Sequence, residues 1–539
     1  MHYRLFFVFF LALVAQAKSQ NSLESFEENL INWHHKDFYK DTILGMSTER
    51  AYNEILSKKT AKPVIVAIID SGVDPEHEDL KENMWINEDE IPQNGIDDDK
   101  NGYVDDVNGW SFLGNAKGEN IAQETLEMTR IYGKYSSKYE KEKPSRIPKQ
   151  EKETYLLYQK AKKKYHEKMS DALLEEMSTK ELLNRYSKSD SIVKAYLKKD
   201  TFSLEELVKI ETEDKELTVA VNVLIFLGES HLNKAEIEKY LEHSTKSLKY
   251  ELNVNYNPRK NIIGDEPETW DGKPYGSPDA KGPDPSHGTH VAGIVAAIRK
   301  NGKGLDGIAS NAKIMSVRAV PDGDERDKDI AMAIIYAVDN GAQVINMSFG
   351  KSFSPQKKWV DSAVRYAEKK GVILVHAAGN DAQNTDVEPS YPNKFYDSKN
   401  CASNWINVGA STLNFMYIPA FFSNYGKKTV DVFAPGHEIY SLKPNNTYET
   451  NSGTSMAAPM VTGLVALLRS YYPKLTCQQI IDIVLQSGID MGNTNVMVPL
   501  SKGKKSSRKS AKFKQLSKTG KIINVYGAVK MAESLEKTN

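Results

Sequence analysis

The feature that most constrains the fold is a regular alternation of buried strands and helices in the second half of the chain. Apolar runs such as "AKIMSVRAV", "AQVINMSFG" and "VILVHAAGN" are separated by helical patterns, and "NWINVGAS" and "TVDVFAPG" continue the series. An earlier run, "KPVIVAIID", predicts one more buried strand. Strands joined by helices imply crossover connections and a parallel sheet. We therefore predict an α/β fold with a parallel central sheet flanked by helices.

A different composition occupies residues 120–261. This stretch is rich in lysine and glutamate, with tyrosine and leucine at spacings of three and four residues. Such spacing predicts several amphipathic helices that pack on each other as an α-helical insertion. A solvated spacer is the alternative, which the recurring apolar positions disfavour. Near the C-terminus, "MVPLSKGKKSSRKSAKFKQLSKTG" predicts a flexible surface loop, and the last 20 residues predict a closing strand and helix.

The totals exclude some classes of protein. With 539 residues the chain exceeds what one core usually supports, so we expect two bodies or one body with a large insertion. A net charge of -1 does not favour nucleic-acid binding, which normally requires a basic surplus. The two cysteines, Cys401 and Cys477, are too few for a disulfide scaffold, and either one bridge or two free thiols is compatible with them.

The first residues have the pattern of an export signal. Arg4 precedes an apolar run from Leu5 to Ala15, and Ala15-Gln16-Ala17 is a small-x-small triplet. The run is too short to span a membrane, which needs about 20 apolar residues. We expect residues 1–17 to be removed and the mature chain to be periplasmic or extracellular, with no membrane span.

A run of small residues, "NSGTSMAAP", carries the best candidate nucleophile. Ser455 opens a predicted helix, where free backbone donors and the helix dipole favour developing negative charge. Pro459 is expected to cost little, because it lies near the helix start, where early amides lack partners. Alternatively, Thr454 or Ser455 only caps the helix.

Two further candidates belong to the same chemistry. Asp70 ends a buried strand at the carboxyl edge of the sheet, where ligands of open α/β sheets bind. His287 lies in "SHGTHVAGIVAA", at the start of a helix rich in small residues. Acyl transfer requires a nucleophile, a base, an anion that orients the base, and donors for the oxyanion.

Three segments, "AIIDSGVD", "HGTHVAG" and "GTSMAAP", resemble the signature segments of subtilisin-like serine peptidases, in the same order. The resemblance implies the subtilisin-like three-layer fold. It assigns Asp70 as the residue that orients the imidazole, His287 as the general base and Ser455 as the nucleophile. By the same mapping His290 and His77 are structural. "VHAAGN" resembles the strand that ends in the oxyanion asparagine, so Asn380 takes that role.

The segment "NMSFG" resembles the strand that pairs with the substrate backbone. Ser348, Phe349 and Gly350 would offer main-chain groups to an extended peptide, as in recognition by strand addition. An edge strand without a ligand is the alternative.

A second motif, "NGIDDDKNGYVDDVNGW", has the spacing of a calcium loop. The predicted ligands are oxygen atoms at alternate positions, with Tyr103 offering its carbonyl: Asp97, Asp99, Asn101, Tyr103 and Asp105. Asn108 stands where such loops usually have a bidentate glutamate, so Asp106 or water would complete the site. We expect structural Ca²⁺ and no organic cofactor.

The chain departs from the family pattern in one respect, since 217 positions separate Asp70 from His287. We expect a signal peptide at 1–17, an N-terminal arm at 18–62, a peptidase domain at 63–119 and 262–539, and a helical insertion at 120–261. The insertion would regulate access to the cleft or assist folding.

We expect a secreted serine endopeptidase that hydrolyses peptide bonds through an acyl-enzyme, acts on peptides or proteins, and is a monomer. A noncatalytic peptide-binding scaffold is one alternative. A transpeptidase is another, because it would use the same acyl-enzyme.

Overall fold

The computed structural model describes residues 31–500 and 509–538, so the expected signal at 1–17 lies outside the described residues. The described chain divides into two compact units. One consists of residues 31–127 and 257–539 and is called the sheet unit here. The other, residues 128–256, is called the helical unit.

Nine strands form the central sheet, in the order β10-β13-β7-β6-β5-β4-β1-β3-β2. Every pairing in it is parallel except that of β10 with β13. Two antiparallel pairs, β8 with β9 and β11 with β12, lie outside it. The strands are β1 (Val64–Asp70), β2 (Gly109–Ser111), β3 (Ala312–Arg318), β4 (Val344–Met347), β5 (Ile373–Ala377), β6 (Trp405–Ser411), β7 (Val432–Pro435), β8 (Ile439–Lys443), β9 (Thr447–Asn451), β10 (Ile489–Asp490), β11 (Asn495–Met497), β12 (Ser510–Lys512) and β13 (Lys521–Ile522).

The described residues form fourteen α-helices, numbered here in chain order. They are α1 (Phe38–Asp41), α2 (Thr48–Glu54), α3 (Glu127–Tyr139), α4 (Lys152–Leu197), α5 (Leu204–Val208), α6 (Lys215–Glu229), α7 (Lys234–Lys246), α8 (Arg259–Ile262), α9 (Ser286–Ala296), α10 (Asp327–Asp339), α11 (Lys357–Lys369), α12 (Thr454–Tyr471), α13 (Cys477–Gln486) and α14 (Val525–Thr538).

Helices cover both faces of the central sheet. On one face, Ile345 and Met347 of β4 join a buried cluster that includes α10 and α11. On the other face, Asn346 bonds to Thr462 of α12. Successive residues of a strand point to opposite faces, so α12 lies across the sheet from α10 and α11. The predicted three-layer α/β fold is confirmed.

The helix that carries His287 begins at Ser286, which places the imidazole in its first turn, as predicted. Other local predictions were incomplete. The hairpin of β8 and β9 was not predicted. The basic stretch near the C-terminus is not simply a loop, because β12 and a short 3-10 turn lie within its described part. The closing strand and helix are present as β13 and α14.

The helical unit is built around α4, which has 46 residues and is therefore about 69 Å long. Three small apolar clusters hold the other helices to it or to each other. Tyrosines dominate one of them, where Tyr139, Tyr155 and Tyr158 pack together. Within the described ranges, no helix has the length and apolar character that crossing a bilayer requires.

Both cysteines are free thiols. Cys401 is exposed, and the Cys477 Sγ lies 2.8 Å from the Gly371 carbonyl oxygen.

Candidate active site

Adjacent strands deliver the candidate residues to one edge of the sheet. β1 lies between β3 and β4, and β4 lies between β1 and β5. Asp70 is the last residue of β1, Ser348 follows β4 directly, and Asn380 follows β5 by three residues. Carboxyl ends of parallel strands meet at one edge, so the topology gathers these positions.

Asp70 and His287 form a close pair. The His287 Nδ1 lies 2.7 Å from the Asp70 Oδ1, which also accepts a bond from the Ser71 amide. Asp70 is buried, whereas the His287 side chain is 41% exposed and accessible to a substrate. Burial lowers the pKa of His287, but the charge of Asp70, its hydrogen bond and the charge of Asp284 together raise it by more, so the pKa lies above its usual value. The pair therefore holds the imidazole with Nε2 available.

Glycines permit this approach of α9 to β1. An ideal Cβ on Gly288 would lie 2.1 Å from the Gly72 carbonyl oxygen and 3.2 Å from the Asp70 Cβ. Gly72 has φ +118°, and its Cβ would lie 2.0 Å from the Lys281 carbonyl oxygen. Larger residues at either position would push the imidazole away from the carboxylate.

The two other histidines face backbone groups. The His290 Nε2 lies 3.1 Å from the Ile439 carbonyl oxygen, and the His77 Nε2 lies 3.2 Å from that of Thr447. Both are fully buried, which agrees with structural roles.

Ser455 lies in the first turn of α12 and exchanges hydrogen bonds with Ser348. Its hydroxyl donates to the Ser348 carbonyl at 3.1 Å, and the Ser348 hydroxyl donates to the Ser455 carbonyl at 2.9 Å. In the described part of the chain, no hydrogen bond joins Ser455 to His287. The Ser455 hydroxyl is thus directed at the Ser348 carbonyl and not at the imidazole.

The position of Pro459 explains the second of these bonds and corrects the expectation about its cost. Pro459 is the sixth helical residue, beyond the first four amides that lack partners anyway. Its missing N–H leaves the Ser455 carbonyl without the usual donor four residues on. The Ser348 hydroxyl replaces that donor.

A buried polar chain extends from this contact into the core. The Thr462 hydroxyl donates to the Asn346 Oδ1 at 2.8 Å, and the Asn346 Nδ2 donates to the Ser348 hydroxyl at 2.9 Å. Thr462 and Asn346 are fully buried. These residues tie the start of α12 to β4. Thr462 was not predicted, because it lies inside an apolar run and has no motif around it that marks a polar role.

Two donors face a common point beside Ser455. The Asn380 Oδ1 accepts bonds from the amide and the hydroxyl of Thr454, which turns its Nδ2 the other way. An ideal Cβ on Gly453 would lie 3.5 Å from that Nδ2 and 3.6 Å from the Ser455 backbone nitrogen. Because Gly453 has no side chain, the space between these two donors is left open.

The expected substrate strand is accessible. Ser348 is buried, Phe349 is half-buried and Gly350 is exposed. Just beyond them, Lys351 and Tyr391 exchange backbone hydrogen bonds of 2.8 and 2.9 Å.

Comparison with known proteins decides the family. Residues 61–515 match the family model described as the subtilase family, which is most of the chain. The chain belongs to the subtilase family. The predicted family is therefore confirmed.

Several subtilases are similar to this chain. It is 46% identical over 187 residues to a thermophilic serine proteinase of Bacillus sp., covering 34% of this chain and 43% of that protein. It is 42% identical over 185 residues to thermitase of Thermoactinomyces vulgaris, covering 34% and 61%. It is 39% identical over 215 residues to subtilisin DY of Bacillus licheniformis, covering 39% and 72%. The matched region thus spans less than two thirds of the first two relatives.

Among solved structures, one described as proteases from Pseudoalteromonas arctica covers 94% of this chain and 98% of its own, at 19% identity and a TM-score of 0.47.

The acidic loop of this subtilase differs in detail from the predicted calcium ligands. Carboxylate oxygens of Glu90, Asp99 and Asp106 lie within 4.8 Å of one another. The Asp105 carboxylate lies outside this group and accepts bonds from the amides of Asn94 and Gly95, while Glu90 within the group accepts bonds from three loop amides.

Other predicted ligands also bond within the loop. The Asp97 carboxylate accepts bonds from the amides of Asn101 and Gly102. The Asn101 Nδ2 donates to Asp99 and to Asp106. Only one of the five predicted ligands, Asp99, therefore belongs to the group of three neighbouring carboxylates. Glu90 was missed because it lies seven residues before Asp97, the first of the predicted ligands.

The grouped carboxylates fit a hard cation. Glu90 and Asp106 are buried, and oxygen ligands are those that Ca²⁺ prefers. Burial raises the pKa of Asp106 to about 6, with the charge of Asp99 acting in the same direction. A cation there would offset both effects.

Proposed function

We propose that this subtilase is a serine endopeptidase that hydrolyses peptide bonds through an acyl-enzyme. The observation that carries the proposal is the 2.7 Å pairing of Asp70 with His287 at the sheet edge that also bears Ser455. His287 would accept the hydroxyl proton of Ser455 at Nε2 as Oγ attacks the scissile carbonyl carbon. Asp70 would keep the imidazole oriented and stabilise its cation.

The remaining steps use the same groups. The Asn380 Nδ2 and the Ser455 amide would donate to the oxyanion of the tetrahedral intermediate. The C–N bond then breaks, and His287 returns its proton to the leaving amine. Water, deprotonated by His287, attacks the acyl-enzyme and releases the acid and the free hydroxyl. An amine in place of water would give transpeptidation.

A peptide assay with product masses tests this proposal. A fluorogenic peptide and an unfolded protein are incubated with wild type, Ser455→Ala and a control, Ser191→Ala, which changes an exposed serine of α4. We expect wild type and Ser191→Ala to give hydrolysis products and Ser455→Ala to give none. Ligated products would instead indicate transpeptidation. Binding without cleavage by wild type would indicate a scaffold and overturn the proposal.

Substrate recognition would use Ser348, Phe349 and Gly350. An extended peptide would pair with their main-chain groups, which places its carbonyl near the Asn380 amide. The exposed position of Gly350 supports this arrangement.

We also propose a structural calcium site in the loop around Asp99, held by Glu90, Asp99 and Asp106. A ligand that binds only the folded state at 100 times its Kd adds about 2.7 kcal/mol of stability. The melting temperature should therefore rise with Ca²⁺ and fall with a chelator.

Two variants distinguish the possible ligand sets. If the grouped carboxylates hold the ion, Glu90→Gln loses the Ca²⁺-dependent rise in melting temperature and Asp105→Asn keeps it. The reverse result would favour the ligands predicted from loop spacing. No rise in wild type would overturn the calcium proposal.

Export rests on the first 17 residues, whose pattern is that of a signal peptide. The relative from Bacillus subtilis is described as a cell wall-associated protease. The N-terminal residue of protein recovered from the medium or periplasm would test the cleavage after Ala17. An intact N-terminus in the cytoplasm would contradict export.

The insertion forms a compact unit of its own, which supports a separate role in substrate access or folding. Replacing 128–256 by a short Gly/Ser linker tests this role. We expect altered cleavage of a folded protein or a lower yield of active enzyme. Unchanged folding, together with unchanged cleavage of a small peptide and of a folded protein, would mean that the insertion has no role in either process.

A further inference from the structure

The chain around Asn380 has no regular secondary structure to hold it in place. β5 ends at Ala377, and residues 378–383 form neither helix nor strand. Asn380 is exposed within this segment, and Thr454 holds only its side-chain oxygen. Backbone N–H and C=O groups outside helices and strands need other partners. The position of the Asn380 main chain therefore depends on which groups satisfy its neighbours.

One buried residue, Asn424, holds the segment on the side before Asn380. Its backbone amide donates to the Gly379 carbonyl at 2.8 Å, and its Nδ2 donates to the Ala378 carbonyl at 2.9 Å. Gly379 has φ +101°, and an ideal Cβ there would lie 2.4 Å from the Asn424 Nδ2. Glycine at position 379 therefore permits the close approach of the Asn424 side chain.

The same side chain holds the segment after Asn380. The amides of Asp381 and Gln383 donate to the Asn424 Oδ1 at 3.0 and 2.9 Å. Between them, Ala382 has φ +52°, a left-handed conformation that is unfavourable for alanine. Two amides that meet at one oxygen stabilise this turn. Because only the oxygen of a carboxamide accepts, they also fix the orientation of the Asn424 side chain.

Asn424 is itself attached to the central sheet. The Ser423 hydroxyl donates to the Asn424 carbonyl at 2.9 Å and accepts a bond from the amide of Ala410, in β6, at 3.0 Å. Ser423 and Asn424 are both buried. β6 pairs with β5, the strand that leads to Asn380. Asn424 thus connects the segment on both sides of Asn380 to the neighbouring strand of the sheet.

We propose that Asn424 is a positioning residue, which holds the main chain of Asn380 so that the Asn380 Nδ2 stays beside the Ser455 amide. Thr454 orients the carboxamide of Asn380, and Asn424 sets the point from which that carboxamide extends. The proposal rests on the proposed peptidase function, in which Asn380 donates to the oxyanion. An oxyanion forms only during the reaction, so loss of Asn424 should affect kcat and not KM.

Steady-state kinetics on one fluorogenic peptide test the proposal. Asn424→Ala should lower kcat by about 10- to 100-fold and leave KM unchanged, because a displaced donor keeps part of its effect. The matched control is Asn404→Ala, which also removes a buried asparagine that donates to a backbone carbonyl, that of Val372. Asn404 precedes β6 and Val372 precedes β5, at the opposite edge of the sheet. This control should keep the wild-type kcat.

A double-mutant cycle separates positioning from a purely structural role. Asn380→Ala alone should lower kcat about 100- to 1000-fold. In that background, Asn424→Ala should lower kcat by no more than about twofold further, because the group that Asn424 positions is already absent. Equal fold losses in the two backgrounds would overturn the role of Asn424, as would a wild-type kcat in Asn424→Ala.

A milder variant keeps the test valid if Asn424→Ala does not fold, as judged by circular dichroism. Asn424→Ser should then show a smaller loss of kcat with KM unchanged, and a wild-type kcat in folded Asn424→Ser would overturn the role. The two proposals fail in different ways. No cleavage by wild type would overturn the peptidase function and this role with it, whereas equal cleavage by wild type and the Asn424 variants would overturn the role alone.

Discussion

The sheet unit and the helical unit are held together in different ways. In the sheet unit, backbones approach so closely that only glycine fits, as at Gly288, whose Cβ would lie 2.1 Å from a carbonyl oxygen. In the helical unit, a Cβ on Gly133 would meet nothing nearer than the Val254 side chain at 3.4 Å, with the Val254 carbonyl oxygen at 3.8 Å, both ordinary van der Waals distances. The close pairing of Asp70 with His287 depends on this backbone approach, which restricts the residue type at each position. Helices that pack through side chains need only the amphipathic pattern.

The ion pairs of the two units also differ, because one example is buried and the other is exposed to solvent. Arg259 and Asp329 of the sheet unit are both buried and bond through two pairs of atoms at 2.8 Å. In α4, Arg185 and Glu181 pair at 2.8 Å with about half of each side chain exposed. A buried pair is costly to break, whereas an exposed pair contributes little.

The largest effect is expected in the active site. Asp70→Asn should lower kcat by about 10⁴-fold, because the imidazole loses its orientation and its stabilising anion. Asp200→Asn, an exposed aspartate of the helical unit, should leave kcat unchanged. Steady-state kinetics on one fluorogenic peptide provide the comparison. A loss below tenfold for Asp70→Asn would mean that the pair is not part of the reaction.

The pH dependence of the same variants gives a second test. A general base must be neutral, so kcat/KM should rise with pH through the pKa of His287. Because Asp70 raises that pKa above the usual 6.5, the acidic limb of wild type should have its midpoint above 6.5. In Asp70→Asn the midpoint should move to lower pH. An unchanged midpoint would contradict the assigned coupling.

Breaking the buried ion pair should give the next largest effect. Asp329→Ala leaves Arg259 partly uncompensated and should lower the free energy of unfolding by about 3–5 kcal/mol. All six tryptophans lie in the sheet unit, so tryptophan fluorescence during urea unfolding reports on that unit alone. A loss below about 1 kcal/mol would mean that burial of the pair adds little to its effect.

The polar chain at the start of α12 should give an intermediate effect. Thr462→Val leaves the buried Asn346 Oδ1 without a donor and should cost about 1–3 kcal/mol of stability. We also expect kcat to fall about tenfold with KM unchanged, because small displacements of a nucleophile are costly. Thr462→Ser should restore both values. Loss of stability without loss of kcat would mean that the hydrogen bonds among Thr462, Asn346 and Ser348 have only a structural role.

The smallest effect is expected on the surface of the helical unit. Glu181→Ala should change stability by no more than about 0.5 kcal/mol, and less at high salt. The helical unit has no tryptophan, so far-UV circular dichroism is the suitable measurement. A loss of more than about 1 kcal/mol in the free energy of unfolding would show that exposed ion pairs contribute substantially to the stability of α4, contrary to the contrast drawn above between buried and exposed pairs.

Much of the sheet unit could be predicted because buried strands such as Val64–Asp70 appear as continuous β-branched runs. The family motifs also located Asp70, His287 and Ser455 at strand or helix ends. What escaped prediction depends on tertiary contact. Glu90 joins the acidic group only through folding, and Thr462 has the sequence context of a core residue.

The most direct test of the central claim is the site of covalent modification by a serine-directed fluorophosphonate. The folded protein is labelled, digested and mapped by mass spectrometry, with His287→Ala as the comparison. We expect one adduct, on Ser455, and its loss or strong slowing in His287→Ala. An adduct on another serine, or none on folded wild type, would contradict a single reacting centre at this edge of the sheet.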